Sequence, residues 1–319
     1  MRRRTGVIIP AGPTGAVMTS RQSFLATSAA ALVAVACLGA CGAATPGASP
    51  AGGGEPGTNR PSPSPASSAS RSASLAVYYL GNERIWLESG GSPIDRVKLY
   101  REFHRLAVHD DSPAARTTSA VAEMLDGEST YDPDYRSGWP SGARVRQVRV
   151  DGDTVTVDLT GAATNNAGAE VAHQAVQQLI WTATAASGQP GVRLLLDGEQ
   201  ITDLWGHVAV GGVLRRPPAL DVLAHVWLID PQHDATVAPT FTIHVSGATS
   251  ESTVQLRVRQ ADRTIDERYV TVAAPAAGPV GEARTSLTLP PGTYTIEAYA
   301  ASGVDGRALF LDDHTVTVR

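Results

Sequence analysis

The stretch Val148-Arg149-Val150-Asp151-Gly152-Asp153-Thr154-Val155-Thr156-Val157-Asp158-Leu159 decides how the middle of this chain folds. Apolar and polar residues alternate on both sides of Asp151-Gly152, which is the pattern of two half-buried strands joined by a short loop. An Asp-Gly pair suits a two-residue type I′ turn, because both central positions of that turn need positive φ. The stretch therefore predicts a β-hairpin.

Helices are predicted before and after this hairpin. Ser112-Pro113 is typical of an N-cap followed by Pro at the first helical position, and Gly127 of a helix end. Residues 168–186 carry apolar side chains at helical spacing, so this stripe is expected to lie on the hairpin. Further strands are predicted at residues 75–80, 94–108 and 192–196. The order β-β-α-β-β-α-β predicts an α+β domain over residues 74–200, with two helices on one face of a small sheet.

The rest of the chain is predicted to be all-β. Residues 201–223 contain Gly211-Gly212 and Pro217-Pro218 and are interpreted as a connector. Residues 224–319 contain about seven short alternating strands separated by turn residues, which predicts an immunoglobulin-like β-sandwich. Asp312-Asp313 is expected in a turn before the last strand.

The N-terminus has the features of an export signal. An apolar run from Phe24 to Leu38 is too short for a membrane span and ends in Leu38-Gly39-Ala40-Cys41, which resembles the bacterial lipobox. That resemblance implies that residues 1–40 are a lipoprotein signal peptide and that Cys41 receives a diacylglyceryl anchor. Residues 41–73 are rich in Gly, Ser and Pro and are predicted to be a disordered tether, with a glycosylated stalk as the alternative. Met1 and Met18 both remain possible start sites, as do general secretory and twin-arginine export.

Composition narrows the possible functions. The chain has 26 basic and 31 acidic residues, and removal of residues 1–40 would take away four arginines and lower the formal charge from −5 to −9. Such an acidic protein is a poor candidate for nucleic-acid binding. Its two cysteines, Cys37 and Cys41, fall in the signal and at the anchor. No thiol would remain for a disulfide, a metal site or a nucleophile.

No catalytic motif is found. The eight histidines form no zinc-binding pattern, and the hydrolase elbow, the phosphate loop and the dinucleotide fingerprint are absent. Asp110-Asp111 and Asp312-Asp313 are acid pairs without a recognisable partner carboxylate. We therefore expect no catalytic, cofactor-binding or metal-binding residue and no cofactor. The five tryptophans leave a ligand platform as an alternative: they are Trp86, Trp139, Trp181, Trp205 and Trp227.

Residues 74–200 resemble the GerM-type (GerMN) sporulation and germination domain. The matching segments are Val77-Tyr78-Tyr79-Leu80, Trp139-Pro140-Ser141-Gly142, residues 154–159, residues 177–184 and Leu196-Asp197-Gly198. Asp126-Gly127-Glu128 departs from the family, which usually has Gly-Pro there. Residues 224–319 resemble the immunoglobulin-like domain that accompanies GerM-type domains, through Asp230-Pro231, Pro239 and Asp305-Gly306. Only one of the 26 basic residues is lysine, and this composition resembles that of proteins from high-GC actinobacteria.

The resemblance implies a non-enzymatic, lipid-anchored protein on the outer face of the cell membrane. It would mediate protein–protein association or envelope assembly related to sporulation or germination, with envelope proteins or copies of itself as partners. The alternatives are an extracytoplasmic ligand- or glycan-binding module and a hydrolase with an unrecognised site. The partner contact is expected on the outer face of the helix at 168–186, through His173, Gln174, Gln177 and Trp181. Alternatively, this face is solvated and Trp181 folds back onto the sheet.

Overall fold

The computed structural model describes residues 71–85, 92–127, 130–165, 168–249, 251–273 and 280–319, and these residues form one compact unit. The predicted signal peptide, Cys41, Trp86 and nearly all of the predicted tether lie outside the described residues. No helix in the described ranges combines the length and the apolarity needed to cross a membrane.

The predicted order of elements in the first domain is confirmed. The elements are β1 (Arg71–Ile85), β2 (Ile94–Val108), α1 (Pro113–Leu125), β3 (Arg144–Asp151), β4 (Thr154–Thr160), α2 (Ala169–Ser187), β5 (Gly191–Leu196) and the short β6 (Glu199–Gln200). The first strand begins three residues before the predicted domain start. Ser112 caps α1 by accepting a hydrogen bond from the Ala115 N–H, and α2 ends at Gly188 in the left-handed conformation.

The strands divide between two sheets rather than forming the one small sheet expected. The strands β1 and β2 pair with each other over 15 residues, whereas β3, β4, β5 and β6 form a second sheet in that order. In this second sheet β5 runs parallel to β4. Both helices contact both sheets. Most of the C-terminal half of α2 is consequently buried on all sides.

The central hairpin is present, but its turn is shifted by one residue. Asp151 pairs with Thr154, so the loop is Gly152-Asp153. Only Gly152 of these two has positive φ, at 56°, which is the pattern of a type II′ turn and not of the predicted type I′ turn. The reason is register: this loop pairs Val150 with Val155, whereas a loop at Asp151-Gly152 would oppose Val150 to an aspartate.

The predicted connector contains three short elements, and the predicted sandwich follows it. The connector holds β7 (Asp203–Leu204), β8 (Val208–Ala209) and the single turn α3 (Ala219–Val222). The sandwich strands are β9 (Val226–Asp230), β10 (Ala235–Val237), β11 (Thr240–Gly247), β12 (Thr253–Gln260), β13 (Arg263–Thr271), β14 (Gly281–Thr288), β15 (Gly292–Ala301) and β16 (Ala308–Val318). They form one sheet in the order β10-β16-β15-β12-β13 and another in the order β14-β11-β9.

The turn expected at Asp312-Asp313 is wrong. Both residues lie inside β16 (Ala308–Val318), where they pair with β15. The sequence pattern is misleading because Asp312 is buried in this strand and hydrogen-bonded to groups from other elements, so its charge does not mark a solvent-exposed loop.

The strand β9 belongs to two hydrophobic cores. Val226 and Leu228 pack into the core between the two sandwich sheets. Trp227 and Ile229 point the other way and pack into the core of the first domain. Because successive side chains of a strand face opposite sides, an uninterrupted apolar run is what this double burial requires. The two domains thus share a strand at their junction.

Candidate functional site

The junction between the domains gathers buried ionisable side chains. We call Asp132, Tyr135, Asp312 and His314 the junction cluster. The first two come from the loop of residues 130–136 and the other two from β16. Each of the four residues is at most 7% exposed. Ionisable groups at this depth need partners, because burial without them is costly.

Asp312 accepts two hydrogen bonds from different elements. The Tyr135 hydroxyl donates to it at 3.0 Å, and the backbone N–H of Leu228 in β9 donates at 2.7 Å. Burial raises the pKa of Asp312 to about 7, although these hydrogen bonds and the positive charge of His314 oppose the shift. One carboxylate therefore ties the loop of the first domain to two strands of the sandwich.

His314 completes the cluster. Its Nδ1 donates to the carbonyl of Pro231 at 2.7 Å, and its Nε2 lies 3.4 Å from an Asp132 carboxylate oxygen. Burial alone would lower the pKa of His314, but the carboxylates of Asp132 and Asp312 outweigh it and raise the pKa to about 9. The imidazole is therefore protonated at neutral pH and forms an ion pair across the junction.

A second network adjoins the cluster on the side of α1. His104 of β2 contacts Glu102 through Nε2 and Glu123 through Nδ1, each at 2.7 Å, and the Tyr131 ring stacks on its imidazole. The Glu102 carboxylate also accepts the backbone N–H groups of Tyr131 and Asp132. Burial opposes charging of His104, but the two glutamates raise its pKa overall. The networks are thus joined through the backbone of the loop.

Two more contacts cross the junction. Glu83 of β1 accepts hydrogen bonds from the backbone N–H of His225 at 2.6 Å and from its Nδ1 at 2.9 Å. Arg101 of β2 pairs with Glu282 of β14, which also contacts His244 Nε2 at 2.8 Å. The hydrogen bond from His244 and the contact with Arg101 lower the pKa of Glu282 to about 2, against the effect of burial. The hairpin of β1 and β2 is therefore anchored to the sandwich at several points.

The arrangement is suited to holding domains together rather than to catalysis. Glu102, His104, Asp132, Asp312 and His314 are at most 7% exposed, and each contacts a group of the protein itself. A general acid or base must instead reach a proton on a substrate. Among the described residues there is also no group of three or more potential metal ligands.

The predicted partner face on α2 is only partly exposed. His173 is exposed. Gln174 is half-buried and donates a hydrogen bond to Glu170 of the same helix. Trp181 is 6% exposed, lies 5.6 Å from the Tyr78 ring and is covered by the guanidinium of Arg216. The alternative in which Trp181 folds inward is the one observed.

A groove lies beside the exposed N-terminal half of α2. It has a cavity volume of about 100 Å³ and runs between α2, β2 and α3. Its apolar lining is Leu80, Val97, Leu99 and Val222, and its polar lining is Lys98, Glu170, His173, Gln174, Gln177 and Asp221. The Gln177 Oε1 atom is buried and accepts no hydrogen bond from the described residues. An apolar floor with a polar rim is the usual anatomy of a protein–protein contact.

The other residues singled out in the sequence have structural roles. The Trp139 indole donates to the Ala175 carbonyl, and the Trp205 indole donates to the Ala162 carbonyl and lies edge-on to Trp139. Trp227 is 1% exposed. These tryptophans do not form an exposed platform. Asp110 accepts the backbone N–H of Ser112 and so supports the start of α1.

Motif searching missed the junction residues because they lie far apart in sequence. A local signal was nevertheless present in two strands, where an acidic residue precedes a histidine by two positions. The first pair is Glu102 and His104, and the second is Asp312 and His314. In a strand such residues share one face. An acid-x-His triplet within a predicted strand therefore marked both networks.

Two family models match the chain. Residues 76–202 match the model described as "Germane: Sporulation and spore germination", and residues 225–307 match the model described as "Gmad2: Immunoglobulin-like domain of bacterial spore germination". Both resemblances inferred from the sequence are confirmed, as is the fold class of an α+β domain followed by an immunoglobulin-like sandwich. Both descriptions refer to germination, and neither describes a reaction.

Solved structures with detectable similarity are remote. A Clostridium perfringens protein named as a lipoprotein is 13% identical, with 48% of this chain and 93% of that chain covered and a TM-score of 0.32. The tandem GerMN domains of the Bacillus subtilis sporulation protein GerM are 14% identical, with 46% of this chain and 45% of that chain covered and a TM-score of 0.33. The first of these domains alone is 17% identical, with 43% of this chain and 97% of that chain covered and a TM-score of 0.29. No curated protein matches the chain.

Proposed function

We propose that this chain is a non-enzymatic, lipid-anchored envelope protein that associates with other proteins. It carries a GerM-type sporulation and germination domain followed by the immunoglobulin-like domain of bacterial spore germination. One observation carries the proposal. The buried acids and imidazoles of the junction are engaged with one another, whereas the groove beside α2 is open. The molecule thus offers surfaces for binding rather than an aligned set of reactive groups.

Contacts of the individual groups weigh against the two alternatives. A hydrolase would need an acid or base facing a cleft, but the groups with strongly raised pKa, Asp312 and His314, are buried between the domains. A glycan-binding module usually exposes aromatic rings, but Trp139, Trp181 and Trp227 are at most 6% exposed. An interaction protein fits these environments better.

We assign the main partner contact to the groove beside α2. Val97, Leu99 and Val222 supply apolar contact area, and the unpaired Gln177 Oε1 could accept a hydrogen bond from a partner. The best-fitting partner is an envelope protein that inserts a short apolar segment with a donor group at its edge. This assignment places recognition in the GerM-type domain.

Membrane attachment through Cys41 is the second part of the proposal. The Leu38-Gly39-Ala40-Cys41 segment supports it, and some thirty residues separate Cys41 from the start of β1. A chain of that length spans roughly 30 Å as a flexible coil, which would hold the domains clear of the lipid headgroups. We expect a clickable fatty acid to label the wild-type protein in cells and to leave Cys41→Ser unlabelled. Equal labelling of the two would exclude this anchor.

Photo-crosslinking in cells tests the groove. A crosslinking amino acid at Gln174 should capture one envelope protein, identified by mass spectrometry, whereas one at the exposed Arg193 of β5 should not. Val222→Arg fills the groove and should abolish the capture without lowering the thermal stability by more than a few degrees. If the same protein is captured only from positions in the sandwich, or if Val222→Arg leaves the capture unchanged, the groove assignment is wrong.

A further inference from the structure

A second cavity lies in the sandwich, between the end of β15, the start of β16 and the loop that joins β11 to β12. Its volume is about 380 Å³, and sites for small molecules occupy roughly 300–1,000 Å³. It shares no lining residue with the groove beside α2. Its role can therefore be argued independently of the function proposed above.

The wall of this cavity on β16 is formed at a β-bulge. The ladder between β15 and β16 shifts register between Ala298 and Ala300, where Phe310 and Leu311 together face one residue of β15. Phe310 has a φ of 58°. Glycine is the usual residue at a bulge position with positive φ, because a bulky side chain is strained there. Strained positions of this kind are concentrated at ligand sites, which makes Phe310 a candidate ligand contact.

Phe310 forms an aromatic wall with His225. Their ring centroids are 4.4 Å apart and their planes differ by 15°. The backbone N–H and the Nδ1 of His225 both donate to the Glu83 carboxylate, at 2.6 Å and 2.9 Å, and the His225 carbonyl accepts the Ala248 N–H at 2.7 Å. Because these bonds fix the imidazole, the wall is in place before a ligand arrives.

The polar part of the lining offers acceptors for a cation. Glu251 is exposed and Gln255 is half-buried. The Thr249 hydroxyl donates to the Thr253 carbonyl at 2.8 Å and accepts the Thr253 N–H at 3.0 Å, which closes the loop that carries Glu251. Neither lysine nor arginine occurs among the lining residues that the structure describes. The charge of Glu251 therefore favours a positively charged ligand over a negatively charged one.

We infer that this cavity binds an alkylammonium group, with the ammonium paired to Glu251 and the alkyl chain packed along Leu309 and Phe310. An aromatic face attracts a cation that lies within about 6 Å of the ring centroid, so Phe310 serves both parts of such a ligand. The small side chains of Ala300 and Ala301 leave room for the chain. A free amine and a lysine side chain of another protein share this chemistry.

Two ligands that differ only in the charged group test the chemistry. Nα-acetyl-lysine methylamide carries the alkylammonium, and Nα-acetyl-norleucine methylamide has the same carbon chain without it. Calorimetric titration of the full-length chain in a non-ionic detergent should show at least about tenfold tighter binding of the lysine compound. Added salt should weaken this binding, because exposed charges are screened. Equal affinities, or no binding of the lysine compound below about 10 mM, would overturn the inference.

n-Butylammonium separates the two sources of the ligand. If it binds as tightly as the lysine compound, the ammonium and its chain are sufficient, as expected for a free amine. If it binds much more weakly, the peptide groups also contribute, as expected for a lysine side chain of another protein. Either result supports the site, provided that binding depends on Glu251.

Substitutions locate the site. Glu251→Gln keeps the size of the side chain and removes its charge, so affinity for the lysine compound should fall about tenfold. Phe310→Leu keeps an apolar side chain and removes the ring, and affinity should fall about threefold. Asp262→Asn is the matched control, since Asp262 is an exposed acid between β12 and β13 that does not line the cavity. It should bind like the wild type. With all variants folded by thermal unfolding, unchanged affinity in Glu251→Gln, or an equal loss in Asp262→Asn, would contradict the inference.

Discussion

At the residue scale, two buried histidines lie against carboxylates that raise their pKa values. His314 faces Asp132, and His104 lies between Glu102 and Glu123. Removing one member of such a pair leaves an uncompensated buried charge, which is usually more destabilising than the pair itself is stabilising. Individual substitutions here should therefore have large effects.

His314 makes the stability of the protein dependent on pH. Its pKa is raised from about 6.5 in the unfolded chain to about 9, so the folded state holds the proton more tightly. The contribution of His314 to the free energy of unfolding is complete below about pH 6.5 and is lost as the pH rises to about 9. Asp312, whose pKa is raised to about 7, also makes the free energy of unfolding fall as the pH rises, between about pH 4 and pH 7.

We accordingly expect the free energy of unfolding to fall by up to about 3 kcal/mol between pH 6.5 and pH 9. The slope should be much smaller in His314→Gln, and the exposed His173→Gln should keep the wild-type slope. Urea unfolding at a series of pH values measures this dependence. A wild-type slope in His314→Gln would mean that the ion pair with Asp132 does not stabilise the fold.

At the scale of elements, two polar residues of α2 close the outer edge of β1. The Gln178 amide donates to the Tyr78 carbonyl and accepts from the Gly138 N–H, and the Thr182 hydroxyl accepts from the Tyr78 N–H. Further along, Leu80 and Arg136 exchange two backbone hydrogen bonds. The edge of β1 is therefore not available over these residues for pairing with another chain.

Gln178→Leu should destabilise the first domain by about 2–4 kcal/mol, because a buried carbonyl and a buried N–H both lose their partner. Gln174→Leu, one turn earlier on the same helix and near the surface, should change stability by less than about 0.5 kcal/mol. The midpoints of urea unfolding compare the two variants. Equal midpoints would show that the hydrogen bonds of Gln178 contribute nothing net.

Most elements could be predicted from local patterns, because their periodicity reflects which face is buried. The exact range of β2 and the capped start of α1 followed from such patterns. The division into two sheets could not be predicted, because strand pairing depends on contacts between distant segments. The position of Asp312 was mispredicted for a related reason: the groups that make its burial tolerable, Tyr135 and Leu228, are far away in sequence.

At the scale of the whole molecule, the sequence predicts two modules joined by a connector, and the contacts across the junction favour joint unfolding. The strand β9 contributes Val226 and Leu228 to one core and Trp227 and Ile229 to the other. Buried ion pairs add specific points of attachment. We therefore expect the two domains to form one rigid body that carries the groove beside α2.

Native-state hydrogen exchange tests this central claim most directly. The amides of residues 176–186 in α2 and of residues 254–258 in β12 lie in different domains, and in one cooperative unit they exchange only through global unfolding. We predict the same opening free energy for both sets in the full-length chain, and an equal fall in both when Asp132→Asn removes the carboxylate that faces His314. Two distinct opening free energies, or a fall confined to α2, would contradict the account of the molecule as a single rigid body.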